Sequence, residues 1–263
     1  MPRKLVRRHY DAFGLDCTDA NHRNMISSFN SYTAGLMDVL PSHVAEALLA
    51  AGRRVHYTTG QLVQSRGDHA AELVIVLRGH VRMTTICEDG SELLSSILGP
   101  GQQFNEVTIF AQADRTHDAI AVGDTELLML DETAYYQFAK LHPEIIQALL
   151  ISNVQRVHQL VELLNDVRAL PKTVVLARIL FKNAWRIRGD SKSNAVDMDI
   201  AQEDIAMFLG VTRPYLNKIL GQLTDHGLIK LSYRKVHVLD MQGFENWIKE
   251  RLTYYPVDES KFV

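Results

Sequence analysis

Three regions with different hydrophobic periods follow one another along this chain. From Leu62 to Leu130 the apolar runs are short (ELVIVL, HVRMTTI, ELLSSI, ELLML) and rich in aliphatic and β-branched residues. Turn signals separate them at Gly60, Gly67-Asp68, Gly79, Asp89-Gly90, Gly99-Pro100-Gly101 and Gly123-Asp124. Strands at spacings of roughly 8–12 residues predict an antiparallel barrel or sandwich. Ahead of them LMDVLPSHVAEALL, from Leu36 to Leu49, predicts one or two short helices, while residues 1–33 show no clear period and read as an N-terminal extension.

After His142-Pro143 the period changes. Residues 144–170 contain no Gly or Pro, and Ile146, Leu150, Asn153, Val157, Leu160, Leu164 and Val167 alternate spacings of four and three. That is an a/d seam about three and a half heptads long, the pattern of one helix packed along another. A surface helix lying on its own domain would leave Asn153 facing solvent. The seam is too long and narrow for such an edge helix, so a homodimer is expected, with Asn153 opposite its twin to set the register.

Leu170-Pro171 closes that helix. VVLARILFKNAWRIR predicts another, GDSKSNA a solvated loop, and QEDIAMFLGVTRPYLNKILGQLTDHGLIKL a pair of short helices. In the pair, Ile205, Ala206 and Leu209 line an inner face, and Gly210 stands where the chain needs a left-handed residue. Val211 plugs the corner and Thr212 is suited to N-cap the second helix, whose Leu216, Ile219 and Leu220 face back. This is a helix-turn-helix. Pro214 falls at the second helical position, where the backbone N–H has no intrahelical partner and its loss costs nothing. LIKLSYRKVHVLD then reads as a β-hairpin wing turning at Tyr233-Arg234-Lys235.

Charge sharpens this picture. The 263 residues carry a formal net charge of −3. Residues 171–240 nevertheless hold 11 Lys+Arg against 7 Asp+Glu, while residues 1–170 hold 14 against 20. A basic segment on an acidic chain suits a polyanionic partner. The second helix enters the major groove N-terminus first. It would present Arg213, Tyr215, Asn217 and Lys218, beside Thr212. Arg213 can donate two hydrogen bonds to guanine O6 and N7. Lys218, Arg234 and Lys235 are suited to phosphates.

These residues resemble the cAMP receptor protein / fumarate-nitrate regulator family of bacterial transcription factors. The resemblance covers about residues 34–240 and is strongest at QEDIAMFLGVTRPYLNKILGQLTDHGLI. It implies an α+β chain: an N-terminal antiparallel β-roll like a cyclic-nucleotide-binding domain (34–142), a dimerisation helix (143–170) and a winged helix-turn-helix (171–247). Residues 1–33 and 248–263 are left as extension and tail. It also implies a homodimer on two-fold-related half-sites of promoter DNA, recruiting or blocking RNA polymerase. The position of Pro214 is a Glu in the best-known members, so the half-site sequence is expected to differ.

GQQFNEVTIFAQADRTHDAIA resembles the family's phosphate-binding cassette. By that resemblance Glu106 accepts from a ribose 2′-OH, and Arg115 and Thr116 hold a cyclic phosphate. Backbone N–H groups from Val107 onward assist. Asn105 stands where the family has Gly, adding a side chain where backbone must approach a ligand. Leu160 and Val161 replace two hydroxyl residues that meet adenine in cAMP-responsive members, and an apolar pair cannot hydrogen-bond a base edge. Three readings stay open: a cyclic nucleotide (cAMP, cGMP or a cyclic dinucleotide), another small effector, or no ligand with Glu106 and Arg115 in an internal salt bridge.

Other chemistry is not indicated. Cys17 and Cys87 form no CxxC, the histidines form no HExxH, and there is no GxSxG, Walker A or GxGxxG motif. No metal, required cofactor, enzyme activity or membrane association is expected, and a cytoplasmic location is. A second function class has the helical C-terminal region contacting protein instead of DNA. The basic wing turn argues against it.

Overall fold

The computed structural model describes residues 34–188, 193–233 and 235–252, with the side chains of Arg186 and Asp199 left aside. The N-terminal extension 1–33, the end of the tail and Arg234 lie outside the described residues. Two short helices, α1 (Leu36–Val39) and α2 (Ser42–Ala51), are separated at Pro41, which lacks the N–H needed to continue α1.

A six-stranded antiparallel sheet follows: β1 (Arg53–Tyr57), β2 (Leu62–Gln64), β3 (Glu72–Ile86), β4 (Glu92–Leu98), β5 (Gln103–Phe104) and β6 (Asp118–Asp131). The main path runs β1-β6-β3-β4, with β2 added on β6 and β5 on β3. The expected pair of strands ELVIVL and HVRMTTI is in fact one strand, the 15-residue β3. Gly79 does not turn the chain. It sits at φ 75° where the register with β6 shifts on both sides of Arg78, a bulge that bends the strand and keeps its ladder. A Cβ there would stand 2.5 Å from the Asp124 carbonyl oxygen, so only glycine fits.

Alternation along β3 and β6 builds two cores. Val74, Val76, Val81, Leu127 and Met129 meet Leu98 and Phe104 inside the roll. Leu73, Ile75, Leu77, Leu128 and Leu130 point the other way, onto α1, α2 and two further helices, α4 (Glu132–Leu141) and α5 (Glu144–Ala169), through Tyr135, Phe138, Ile145, Ala148 and Leu149. Each such side chain contributes about 1.5–3 kcal/mol relative to exposure. A strand covered on both faces reads as an unbroken apolar run, which LVIVL is. Between β5 and β6 lies one helical turn, α3 (Glu106–Phe110).

The described chain divides into two compact units within α5, between Arg156 and Val157. Helix α5 has the expected extent, 26 residues closed by Pro171. Its front half packs on the roll and its back half binds the next helix, so the division falls inside the helix, away from either proline.

The second unit contains α6 (Lys172–Arg188), β7 (Val196–Asp199), α7 (Gln202–Leu209), α8 (Arg213–Asp225), β8 (Ile229–Ser232), β9 (Lys235–Val238) and α9 (Met241–Lys249). Helices α7 and α8 are the helix-turn-helix, and β8 and β9 the wing. Two elements lie outside the sequence reading. Strand β7 pairs with β9 and makes the wing sheet three-stranded. Helix α9 crosses the expected boundary at residue 247, with Met241, Phe244 and Ile248 buried at spacings of three and four and Asp240 accepting from the Gln242 N–H at its start.

Candidate DNA interface and effector site

The helix-turn-helix corner is built by backbone geometry that its sequence demands. Gly210 adopts φ 59°, its N–H donates to the Met207 carbonyl, and the Val211 N–H donates to the Ala206 carbonyl. This is a Schellman close, whose left-handed residue is cheapest as glycine. Helix α8 ends the same way at Gly227, with Gly227 N–H to Thr224 and Leu228 N–H to Leu223. Thr212 is extended at the N-cap position, but its hydroxyl makes no capping bond. The first helical bond runs from the Leu216 N–H to the Thr212 carbonyl. Arg213 and Pro214 are the first two helical residues, so the proline removes no bond.

Leu216, Ile219, Leu220 and Leu223 are buried, which leaves Thr212, Arg213, Tyr215, Asn217 and Lys218 exposed at the front of α8. Lys235 is exposed beside the wing turn, and Arg234 lies outside the described residues.

In the roll, the cassette residues are held by partners that local sequence does not announce. Arg115 is only 7% exposed. One end of its guanidinium donates to Glu72, the other to Asp68 Oδ2 at 3.4 Å. Its Nε is buried without a hydrogen-bond partner among the described residues. Glu106 meets Arg156 Nη1 at 3.3 Å and Asn153 Nδ2 at 3.4 Å. Arg156 also donates to the Gln103 carbonyl at 3.0 Å, and Gln103 Nε2 to Ser152 Oγ at 2.9 Å, tying α5 to β5. Glu106 and Arg115 therefore do not pair with each other. Each has other partners instead: Arg156 for Glu106, and Glu72 and Asp68 for Arg115.

Asn105 takes a left-handed conformation (φ 71°), the region that favours glycine. Asparagine tolerates it better than other side chains. Its amide turns inward to exchange two hydrogen bonds with Gln64, at 2.6 and 3.1 Å. Val107 is half-buried and Thr116 exposed, its hydroxyl 2.7 Å from His117 Nδ1. Burial, then the Arg66 charge, holds the His117 imidazole below its ordinary range, with Asp118 opposing. Burial and then Glu72 push the Tyr57 phenol up.

On α5 the seam is largely uncovered. Ile146, Leu150, Val157, Leu160, Leu164 and Val167 are 42–62% exposed, and Val154 and Val161 widen the stripe. Asn153 is half-buried and donates to the Leu149 carbonyl at 2.9 Å as well as to Glu106. On the opposite side of the helix Glu162 and Asp166 are buried and bind Arg178 of α6, an ion triad absent from the sequence reading.

Among the described residues no His/Cys/Asp/Glu cluster could hold a metal, and no helix is long and apolar enough to cross a membrane.

Comparison with known proteins follows the same division. Residues 54–142 match the cyclic nucleotide-binding domain family and residues 176–247 the Crp-like helix-turn-helix domain family. A CRP-like cAMP-activated global transcriptional regulator of Mycobacterium tuberculosis is 29% identical over 206 residues, covering 78% of this chain and 91% of that protein. The cyclic AMP receptor protein of Thermus thermophilus is 26% identical over 202 residues, covering 75% and 88%. Among solved structures, a CooA variant from Carboxydothermus hydrogenoformans superposes with a TM-score of 0.69 at 19% identity, covering 84% of this chain and 99% of that one.

Proposed function

Because this chain belongs to the cAMP receptor protein / fumarate-nitrate regulator family of DNA-binding transcription regulators, we propose that it acts as a homodimer on two-fold-related DNA half-sites under the control of a small effector in its β-roll. The observation that carries the DNA reading is α8, an apolar face fully buried and a front end of five exposed polar residues. Arg213 reads guanine O6 and N7 in each half-site. Tyr215 and Asn217 contact the neighbouring base pair, which the missing carboxylate at Pro214 leaves to them. Thr212, Lys218, Arg234 and Lys235 hold phosphates and set the register. The uncovered stripe on α5 supports pairing with a second copy, and RNA polymerase is the further partner this role needs.

The match of residues 176–247 to a Crp-like DNA-binding domain family disfavours a C-terminal region dedicated to protein contacts. For the effector, a cyclic nucleotide is the proposed class. Its phosphate would take Arg115 from the long contact with Asp68, and its ribose hydroxyl would donate to Glu106. With the apolar Leu160 and Val161 in place of the family's hydroxyl pair, selectivity rests on phosphate and sugar.

Selection of bound fragments from a random DNA pool tests this directly. Wild type should yield a two-fold-symmetric site. Arg213→Ala should bind it with about 1–3 kcal/mol less discrimination at one base pair per half-site. An unchanged preference in the variant would remove Arg213 from base reading.

A further inference from the structure

The outer face of the wing sheet carries a hydrogen-bonded relay. Val196, Met198, Ile229, Val236 and Val238 point into the core, so strand alternation places Asp197, Lys230, Ser232, Lys235 and His237 on the opposite face. His237 lies in register between Asp197 on β7 and Lys230 on β8. Its Nδ1 is 2.7 Å from Asp197 Oδ1, and its Nε2 is 2.7 Å from Ser232 Oγ. The order carboxylate–imidazole–hydroxyl is that of a hydrolytic triad, but such a triad buries its Asp. Asp197 is 66% exposed, and the relay lies open on a sheet face flanked by lysines, a setting for contact with an anion.

The carboxylate fixes the tautomer. Asp197 can only accept, so Nδ1 carries a proton. In the neutral ring Nε2 is then an acceptor and captures the Ser232 O–H. Protonation turns Nε2 into a donor to Ser232 Oγ, and the hydroxyl proton is released to point outward. Ser232 is exposed and is the last residue before the wing turn. We infer that His237 is a positioning residue that couples protonation to DNA-backbone binding: the charged imidazole frees the Ser232 hydroxyl to donate to a phosphate and adds a positive charge beside Lys230 and Lys235. The inference rests on the DNA-binding role of the wing proposed above. Among the described side chains, the charged groups facing His237 are Asp197 from β7, Lys230 from β8 and Lys235 from its own strand.

The sign follows from linkage. DNA that favours the protonated ring binds more tightly as pH falls. A phosphate contact carries no sequence information, so a mixed-sequence duplex of about 30 base pairs suffices as probe. Its affinity for the full chain is measured by anisotropy between about pH 5.5 and 8 at constant ionic strength. Wild type should tighten roughly three- to ten-fold toward acid pH. His237→Gln should lose that step, and Ser232→Ala should keep only the smaller part due to charge. A variant His237→Gln whose profile rises as wild type does overturns the inference, because every other histidine is common to both proteins. So does a neutral His237 carrying its proton on Nε2, read from long-range 1H–15N spectra of the labelled protein. No binding of wild type at any pH instead removes the DNA-binding reading, and this inference with it.

Discussion

In the β-roll, the guanidiniums of Arg115 and Arg156 turn inward onto Glu72, Asp68 and Glu106, whereas at the front of α8 Arg213 and Lys218 stand in solvent. The two regions hold the same residue types in opposite states. A groove of DNA is large and brings its own charge, so the surface that reads it needs only exposed donors on a rigid helix. A small effector must instead fit a site whose polar groups are already satisfied, because a buried charge without a partner is costly. The roll carries its own carboxylates as the partners of these guanidiniums. The second unit shows the inward pattern too, at Arg178, Glu162 and Asp166, where the partners come from two helices and are buried.

That contrast can be broken at its strongest point first. Arg178→Met leaves two buried carboxylates facing each other and should destabilise the second unit by about 3–5 kcal/mol in urea denaturation. A loss under about 1 kcal/mol would mean that water reaches the cluster. Next is the exposed stripe of α5. Leu164→Asp in a homodimer sets like charges across the seam, a cost of several kcal/mol. Sedimentation should show the variant as monomer where wild type is dimer. If the variant stays dimeric, the interface lies elsewhere.

The roll is tested with ligand. Calorimetry with cAMP, cGMP and a cyclic dinucleotide should find one that binds wild type. Arg115→Ala should lose at least about 1.5 kcal/mol of that affinity, the lower range for hydrogen bonds to a charged group. No heat from any of the three would leave Arg115 as a structural ion pair. The smallest effect concerns His117, whose imidazole is held below its ordinary range by burial and Arg66. The unfolded chain then binds more protons than the folded one between the two titrations. Stability from this group is complete above about pH 6.5 and is lost as pH falls through that value and below. Urea midpoints followed downward from pH 7 should decline less steeply in His117→Gln than in wild type.

Much of the architecture was legible because it is written locally. The helix-turn-helix needs a glycine that tolerates positive φ, an extended residue before the next helix and apolar residues at fixed spacing, all within residues 202–223. The extent of α5 follows from an uninterrupted run without Gly or Pro. Strand β7 escaped because the alternation in VDMD spans only four residues, too few to separate a strand from a loop. Helix α9 carried a readable signal, Asp240 followed by Met241, Phe244 and Ile248 at helical spacing. Gly79 looked like a turn because a bulge and a turn both ask for positive φ, and only the pairing of β3 with β6 distinguishes them.

By itself, then, the sequence determined the order of elements, the exposed polar front of α8 and the apolar seam, since each follows from periodicity and backbone preference over a few turns of chain. Only the tertiary structure decided which charges neutralise which. Arg115 finds Glu72 across 43 residues, Asn105 finds Gln64 across 41 and His237 finds Asp197 across 40. Such pairs leave no local signature, because what selects them is the cost of burying a polar group alone, and that cost arises only once distant strands and helices have been brought together.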